Sequence, residues 1–429
     1  SLVGSKFCMI NKIDFKAKNL TSNAGLLLLL SHAKSEGLFE LLESEITFAD
    51  NGIEKIKMNH IKTLLCGNFL GIDKLERIKL LQSDPLVKEF GIEVKEPETV
   101  SRFLGKFSFR TTQMIRNVNF KLFKKLLDKS RLKSIIIDID STVINVEGHQ
   151  EGTAKGYNPE KPGNRCYNTL MAFCNELKAF ITGFTRSGNT YTANGAAEMI
   201  AEIIENLRDS VDTITFRMDS GYFDENIIKT IEGAGYCYII KAKQYGNMVD
   251  KLYRGDPLQW AEYDNCKEIA EISMRPDKWE RPRRFVVLTR LKPEEERRQR
   301  SLIEGNDYEY AFYVTNTGYS NEETARAYEK RGNCENYIKE SKYDMNVGSL
   351  LLKSFWANEA VFQLMMLAYN LFLLFKFDKL VAQEYRQQIK TFRLKYLFVA
   401  GRIIRTARST IMKLAFDYPY KEVFQRCAL

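Results

Sequence analysis

From Ser134 to Val146 the chain reads SIIIDIDSTVINV, a run dominated by Ile, Val and Thr that favours an extended strand. Asp138 and Asp140 stand in the middle of it. A carboxylate in an otherwise apolar strand is costly unless something satisfies it, so the pair points to function. Their spacing of two puts both on one face, opposite Ile137 and Ile139.

The same run divides the chain. Upstream, residues 1–130 read as helices, with leucines at helical spacing around Leu26–Leu30 and at Leu38, Leu41 and Leu42. Thr21 or Ser22 is the expected cap of the first. Further helices are expected over 53–70, 73–81, 84–90, 98–104 and a long basic one over 111–127. This N-terminal region is expected to bind DNA; the alternative is a packing domain whose lysines are merely solvated. Residues 131–243 continue with strand-like TLMAFC and KAFITGFT, helical periodicity over 191–207, a strand at Thr213–Met218, a helix near Glu225–Glu232 and a strand at Tyr236–Lys241. Three strands in a meander, then helix, strand, helix, strand, is the order of an RNase H-like core. Residues 244–318 carry IAEISM, RFVVLTR and YEYAFYV between Pro- and charge-rich loops and are expected to form a β insertion. Helical pattern resumes at Ser320, which stands at capping-box spacing from Glu323. The expected fold class is therefore α/β: an RNase H-like catalytic core (131–243 and 319–375), interrupted by a β-strand insertion (244–318), with helical N-terminal (1–130) and basic helical C-terminal (376–429) regions.

Composition narrows the chemistry. There are 64 Lys and Arg against 55 Asp and Glu, a net charge of +9. Residues 101–133 hold ten cations against Asp128 alone, and 376–413 hold ten against Asp378 and Glu384, which favours a polyanionic partner. The eight cysteines are scattered without a Cys-x2-Cys pair, which speaks against a disulfide framework or zinc site and for a reducing cytoplasm. His32, His60 and His149 are the only histidines, and His149 reads as a polar loop residue. Hydrolytic chemistry would then rest on carboxylates and hard metal ions. The most apolar stretch, 360–375, is interrupted by Gln363 and Asn370 and is short of a bilayer span, so a buried helix and no membrane partner are expected.

Two more acidic positions complete a candidate site. Asp219 ends TITFRMD and could serve the site or cap the turn that follows. Glu335 lies in YEKRGNCENYIKESK, where Tyr328, Arg331, Glu335 and Lys342 form a Tyr-x2-Arg-x3-Glu-x6-Lys pattern. On one helix these four would fall within roughly 60° of each other, an array suited to a phosphodiester. Three carboxylates on such a core can hold two divalent cations about 3.5–4 Å apart for phosphoryl transfer.

With these residues in view, the chain resembles the DDE-type bacterial insertion-sequence transposases marked by the Y-x2-R-x3-E-x6-K signature. LTSNAGLLLL, ETVSRFLGKF, IDIDSTV, GHQEGTAKGYNPEKPGNRCY, TRSGNTYTANGA, FRMDSGYF and AGRIIRTAR all look like its blocks, so the resemblance covers nearly the whole length. It implies Asp140, Asp219 and Glu335 as catalytic, metal-binding residues for Mg²⁺, with Mn²⁺ substituting, and favours Asp140 over Asp138. Tyr328, Arg331 and Lys342 would contact DNA. Lys155, Lys161 and Arg165 in the long Gly-rich loop, and Arg402, Arg405 and Arg408 on a basic helix edge, are further DNA-binding candidates. The implied activity is cut-and-paste transposition through a hairpin, on double-stranded terminal inverted repeats and target DNA, by a homodimer at synapsis in the bacterial cytoplasm. A base-stacking aromatic is expected in the insertion, with Tyr310 or Phe312 nearest in position and Trp279 a rival. A catalytically inactive, transposase-derived DNA-binding protein is the alternative, and a nuclease or resolvase on the same core a third reading.

Overall fold

The Ile-rich run forms the centre of a ten-stranded sheet, β1 (Ser134–Asn145). The computed structural model describes residues 13–48, 54–243, 246–254, 257–264, 266–292, 308–345 and 352–427, without the side chains of 54–56, 246, 247, 253, 254, 333–335 and 342. A short β2 (Ala154–Lys155) and then β3 (Arg165–Cys174) follow, with β3 antiparallel to β1. Next, β4 (Ala179–Ser187) returns along β3. On the other flank β5 (Thr213–Met218) runs parallel to β1, and β6 (Cys237–Lys241) parallel to β5. The order β4-β3-β1-β5-β6 is that of the expected core.

The later strands continue this sheet. They are β7 (Ala261–Asp264), β8 (Lys267–Met274), β9 (Arg283–Leu291) and β10 (Tyr308–Thr315). They pair antiparallel in the order β10-β9-β8-β7, and β10 pairs directly with β6 of the core, Val314 facing Ile240.

A 25-residue helix, Phe355–Lys379, packs along β4. Its length and composition would let it cross a membrane, but its apolar window is mostly buried inside the protein. Its polar residues have structural work. Thr185 N–H donates to Glu359 Oε2 (2.8 Å), Gln363 Nε2 to the Gly183 carbonyl (2.8 Å), and Asn370 both accepts from Phe180 N–H (3.0 Å) and donates to its carbonyl (2.8 Å). Spaced on one helix face, these side chains satisfy backbone groups that an edge strand would leave open.

The N-terminal helices pack on the same helix and share one apolar core with the sheet. The long basic helix runs over Phe109–Ser130 behind a capping box of Ser108 and Thr111. Many of its cations meet acids from distant parts of the chain. Arg116 pairs with Glu202 (2.5 Å), Lys121 with Glu45, Lys125 with Glu36 (2.7 Å), and Lys129 with both Glu36 (3.0 Å) and Asp378 (2.7 Å). His32 is buried beside these acids, its Nε2 3.4 Å from Asp378 Oδ2, and burial pulls its pKa down to about 4.

Local details depart from expectation. The first helix, Leu26–Ser35, is capped by Gly25 without a side-chain bond, because Thr21 instead donates to Asp84 Oδ2 (2.8 Å). A Cβ on Gly25 would lie 1.5 Å from the Tyr396 carbonyl oxygen, so this close approach requires glycine. The helix expected over 191–207 begins only at Ala196, after Gly195 in the left-handed region. The C-terminal region is not wholly helical. Gly401–Arg405 and Thr410–Leu414 form a β-hairpin, with Leu20–Thr21 as a third strand. The β-branched Ile403, Ile404, Thr410 and Ile411 pair across it, and Thr406 closes the turn on Ser409.

Candidate active site

Parallel pairing of β1 with β5 sets the site. Ile139 faces Met218 in register, so the next residues, Asp140 and Asp219, stand side by side where β5 ends, inside the sheet. Asp219 Oδ1 accepts from Gly221 N–H (2.8 Å), capping the short turn Ser220–Tyr222. The capping reading of Asp219 holds, and its Oδ2 lies 4.0 Å from Arg331 Nη2. A Cβ on Gly221 would lie 2.7 Å from Thr192 Cγ2 and 3.0 Å from Asp219 Oδ1, so a larger residue there would displace Thr192 and press on Asp219.

Asp138 and Asp140 have separate fates. Asp138 is fully buried, and Arg217 of β5 holds it in a bidentate pair (Nε–Oδ1 2.6 Å, Nη2–Oδ2 2.7 Å). Asp140 remains 17% exposed and Asp219 40% exposed. One guanidinium nitrogen of Arg331 lies 3.1 Å from Asp140 Oδ1 and 4.0 Å from Asp219 Oδ2. Those two oxygens are thus no more than about 7 Å apart, close enough for a pair of cations at the usual spacing of about 4 Å. Hard oxygen donors of this kind suit Mg²⁺.

The signature residues do not share one unbroken helix. The helix Asn321–Glu329, started by the full Ser320/Glu323 capping box, ends before Lys330, and Gly332–Asp344 begins a second. Gly332 lowers helix preference by about 1 kcal/mol, and the break, at Lys330 and Arg331, falls just before it. Tyr328 closes the first helix and Arg331 sits in the joint, largely buried. Glu335 and Lys342 lie on the second helix, with side chains outside the described residues.

Several contacts fix that joint. Tyr328 packs on Tyr313 of β10 (centroids 4.6 Å apart), and burial pushes its phenol pKa up. Arg217 reaches past Asp138 and donates to the Ala327 carbonyl (2.5 Å) and to Asn175 Oδ1 (3.2 Å). Arg217 was absent from the expected site. The signal was the one used for the aspartates, a charge inside an apolar strand.

The other candidates are dispersed. Lys155 is exposed, Lys161 pairs with Glu147 (3.3 Å), and Arg165 donates to Thr153 Oγ1 (3.0 Å) and to its carbonyl, folding the loop back on itself. Arg402 and Arg405 lie on a strand and Arg408 in its turn, not on a helix; Arg405 pairs with Glu89. Tyr310 and Phe312 are buried in the main core, and Trp279 packs on Phe223 (4.8 Å) with the Arg283 guanidinium over its ring (5.5 Å).

The fold is similar to that of a piggyBac transposase in a synaptic complex with hairpin DNA, at 12% identity and a TM-score of 0.47, over 87% of this chain and 79% of that one. The Mos1 transposase paired-end complex with a left transposon end is a distant second likeness, at 11% identity and a TM-score of 0.18, over 35% of this chain and 51% of that one. No curated protein matches the sequence. The family described as transposase DDE domain group 1 matches residues 9–429, and the chain belongs to it.

Proposed function

We propose that the protein cuts an insertion sequence out at its ends and joins it to target DNA by metal-dependent phosphoryl transfer, through a hairpin intermediate. The observation that carries this reading is the convergence of Asp140 and Asp219 on one Arg331 nitrogen, where β5 ends inside a sheet built in the RNase H-like order. Asp140, Asp219 and Glu335 would hold two Mg²⁺ ions, with Mn²⁺ as a substitute. Such ions supply charge that activates a water or 3′-hydroxyl and offsets the leaving oxygen.

The protein's own groups do the rest. Arg331 balances the two carboxylates and would contact a DNA phosphate beside them. Tyr328, clamped on Tyr313, sets where Arg331 stands. Asp138 and Arg217 neutralise each other behind the site and keep the carboxylates of β1 and β5 in register. Double-stranded terminal repeats and target DNA are the proposed partners, held by two copies of the chain at synapsis in a bacterial cytoplasm.

The test is incubation with duplexes of the element's own ends and Mg²⁺. Nicks followed by hairpins are expected, and Asp219→Asn should abolish both while end binding persists. Binding without any cleavage by the unaltered protein would leave the inactive DNA-binding reading instead. Manganese binding measured by calorimetry gives a readout independent of turnover, and Asp219→Asn should weaken it.

A further inference from the structure

Away from the carboxylates of β1 and β5, a buried imidazole and two acids converge where three helices meet. His32 and Glu36 stand four residues apart at the C-terminal end of the helix Leu26–Ser35, on one face of it. Asp378 comes from the last turn of the helix Phe355–Lys379. Ligand atoms of the three all lie within 4.8 Å of one another.

His32 is the least satisfied member. Its side chain is 2% exposed and its ring packs edge-on against Phe375 (centroids 5.4 Å apart), but neither ring nitrogen hydrogen-bonds any described residue. Buried polar atoms are nearly always paired, so an imidazole with both nitrogens unbonded calls for a partner of another kind. Its Nε2 lies 3.4 Å from Asp378 Oδ2, which aims it into the cluster.

Lys129, on the basic helix, marks where positive charge sits. Its ammonium lies 3.0 Å from Glu36 Oε1 and 2.7 Å from Asp378 Oδ2, yet its side chain is 30% exposed and can swing into water. Glu36 Oε2 is held separately by Lys125 (2.7 Å), which keeps that carboxylate oriented once Lys129 leaves. A tetrahedral ion with bonds of about 2.0–2.1 Å needs ligand atoms about 3.4 Å apart. The edge from His32 to Asp378 already has that length, and the remaining gaps close by at most about 1.4 Å. An imidazole beside two carboxylates favours Zn²⁺ over Mg²⁺ or Ca²⁺, which prefer oxygen alone.

We propose that His32, Glu36 and Asp378 form a zinc site, with water as fourth ligand, in which the ion displaces Lys129 and fastens the N-terminal helices to the helix Phe355–Lys379. The site stands apart from the strand-cleaving reading above.

The experiment is Zn²⁺ calorimetry on the full chain carrying Asp219→Asn, which disables the carboxylates of β1 and β5. One ion per chain is expected, with a higher melting temperature in zinc. Asp378→Asn and His32→Met, added singly, should each weaken binding by at least about 100-fold, since even losing a group that only orients a ligand costs about 10- to 100-fold. Lys129→Met should tighten it about fivefold, because the competing ammonium is gone. Co²⁺ in place of zinc should show the visible absorption of a four-coordinate ion, lost in His32→Met. No bound zinc, or binding that survives both His32→Met and Asp378→Asn, would overturn the site, as would unchanged affinity in Lys129→Met. Should His32→Met fail to fold, Asp378→Asn decides alone, being a conservative change at a side chain 16% exposed.

Discussion

The Asp138–Arg217 pair offers a decisive separation of folding from chemistry. Its members are 0% and 1% exposed, so solvent screens neither charge. Converting Arg217 to Met leaves Asp138 buried without its cation, a change that typically costs about 3–5 kcal/mol. At roughly 2 °C per kcal/mol for a large domain, melting should fall by about 6–10 °C. Adding Asp138→Leu removes the orphaned charge, and swapping a buried ion pair for apolar residues is often neutral or stabilising, so the double variant should regain most of that loss. Cleavage should not return with it. The Ala327 carbonyl loses its donor, and Tyr328 and Arg331 follow directly. A displacement of about 1 Å at a positioning group can cost on the order of 100-fold in rate. The assay is a melting curve beside single-turnover cleavage of an end duplex with Mg²⁺. A double variant that cleaves like the parent would show that Arg217 positions nothing. An Asp138→Asn protein that melts normally but cannot cleave would exchange the roles given to Asp138 and Asp140.

Three other perturbations have defined outcomes. Arg331→Ala removes the cation between Asp140 and Asp219, so Mn²⁺ affinity measured by calorimetry should rise about fivefold, the equivalent of roughly 1 kcal/mol, while cleavage falls; weaker or unchanged Mn²⁺ binding would remove Arg331 from that position. His32 has a folded pKa near 4 against 6.5 free, so only the unfolded chain takes a proton between these values, and stability should drop by about 3 kcal/mol as pH falls from 6.5 towards 4. His32→Met should flatten that limb in denaturant titrations at pH 7.5 and 4.5, and an unchanged slope would refute the assignment. Affinity for end duplexes should fall steeply with salt, and alanine at exposed Lys155 or Arg402 should each reduce the logarithmic slope by about one; no change at either would take it off the DNA backbone.

The parts of the molecule legible in sequence are those where local pattern and tertiary demand agree. The Ile/Asp alternation of β1, the Ser320 cap and the order of the core strands are of this kind. So is the helix carrying Gln363 and Asn370, although their bonds to β4 required coordinates. Local counting could not see that Glu36, Glu45, Glu202 and Asp378, far along the chain, pair with four cations of the basic helix. Spacing by three misled at Arg402, Arg405 and Arg408, where β-branched neighbours dominate and make a hairpin. Tyr310 and Phe312 are named for a base only by their position in the family's pattern, and both are buried. That sheet is covered on both sides, with Tyr313 and Ala325 packed on the second face.

The direct ladder between β6 and β10 constrains how this chain can change over time. Trimming away the insertion through β10 would bare the flank of β6, a core strand, and leave a row of unmatched amides and carbonyls, a template for aggregation. Length can therefore drift in the connections between these strands far more freely than in the strands themselves. A minimal version of the protein would need a new cover for that flank before it could lose the old one.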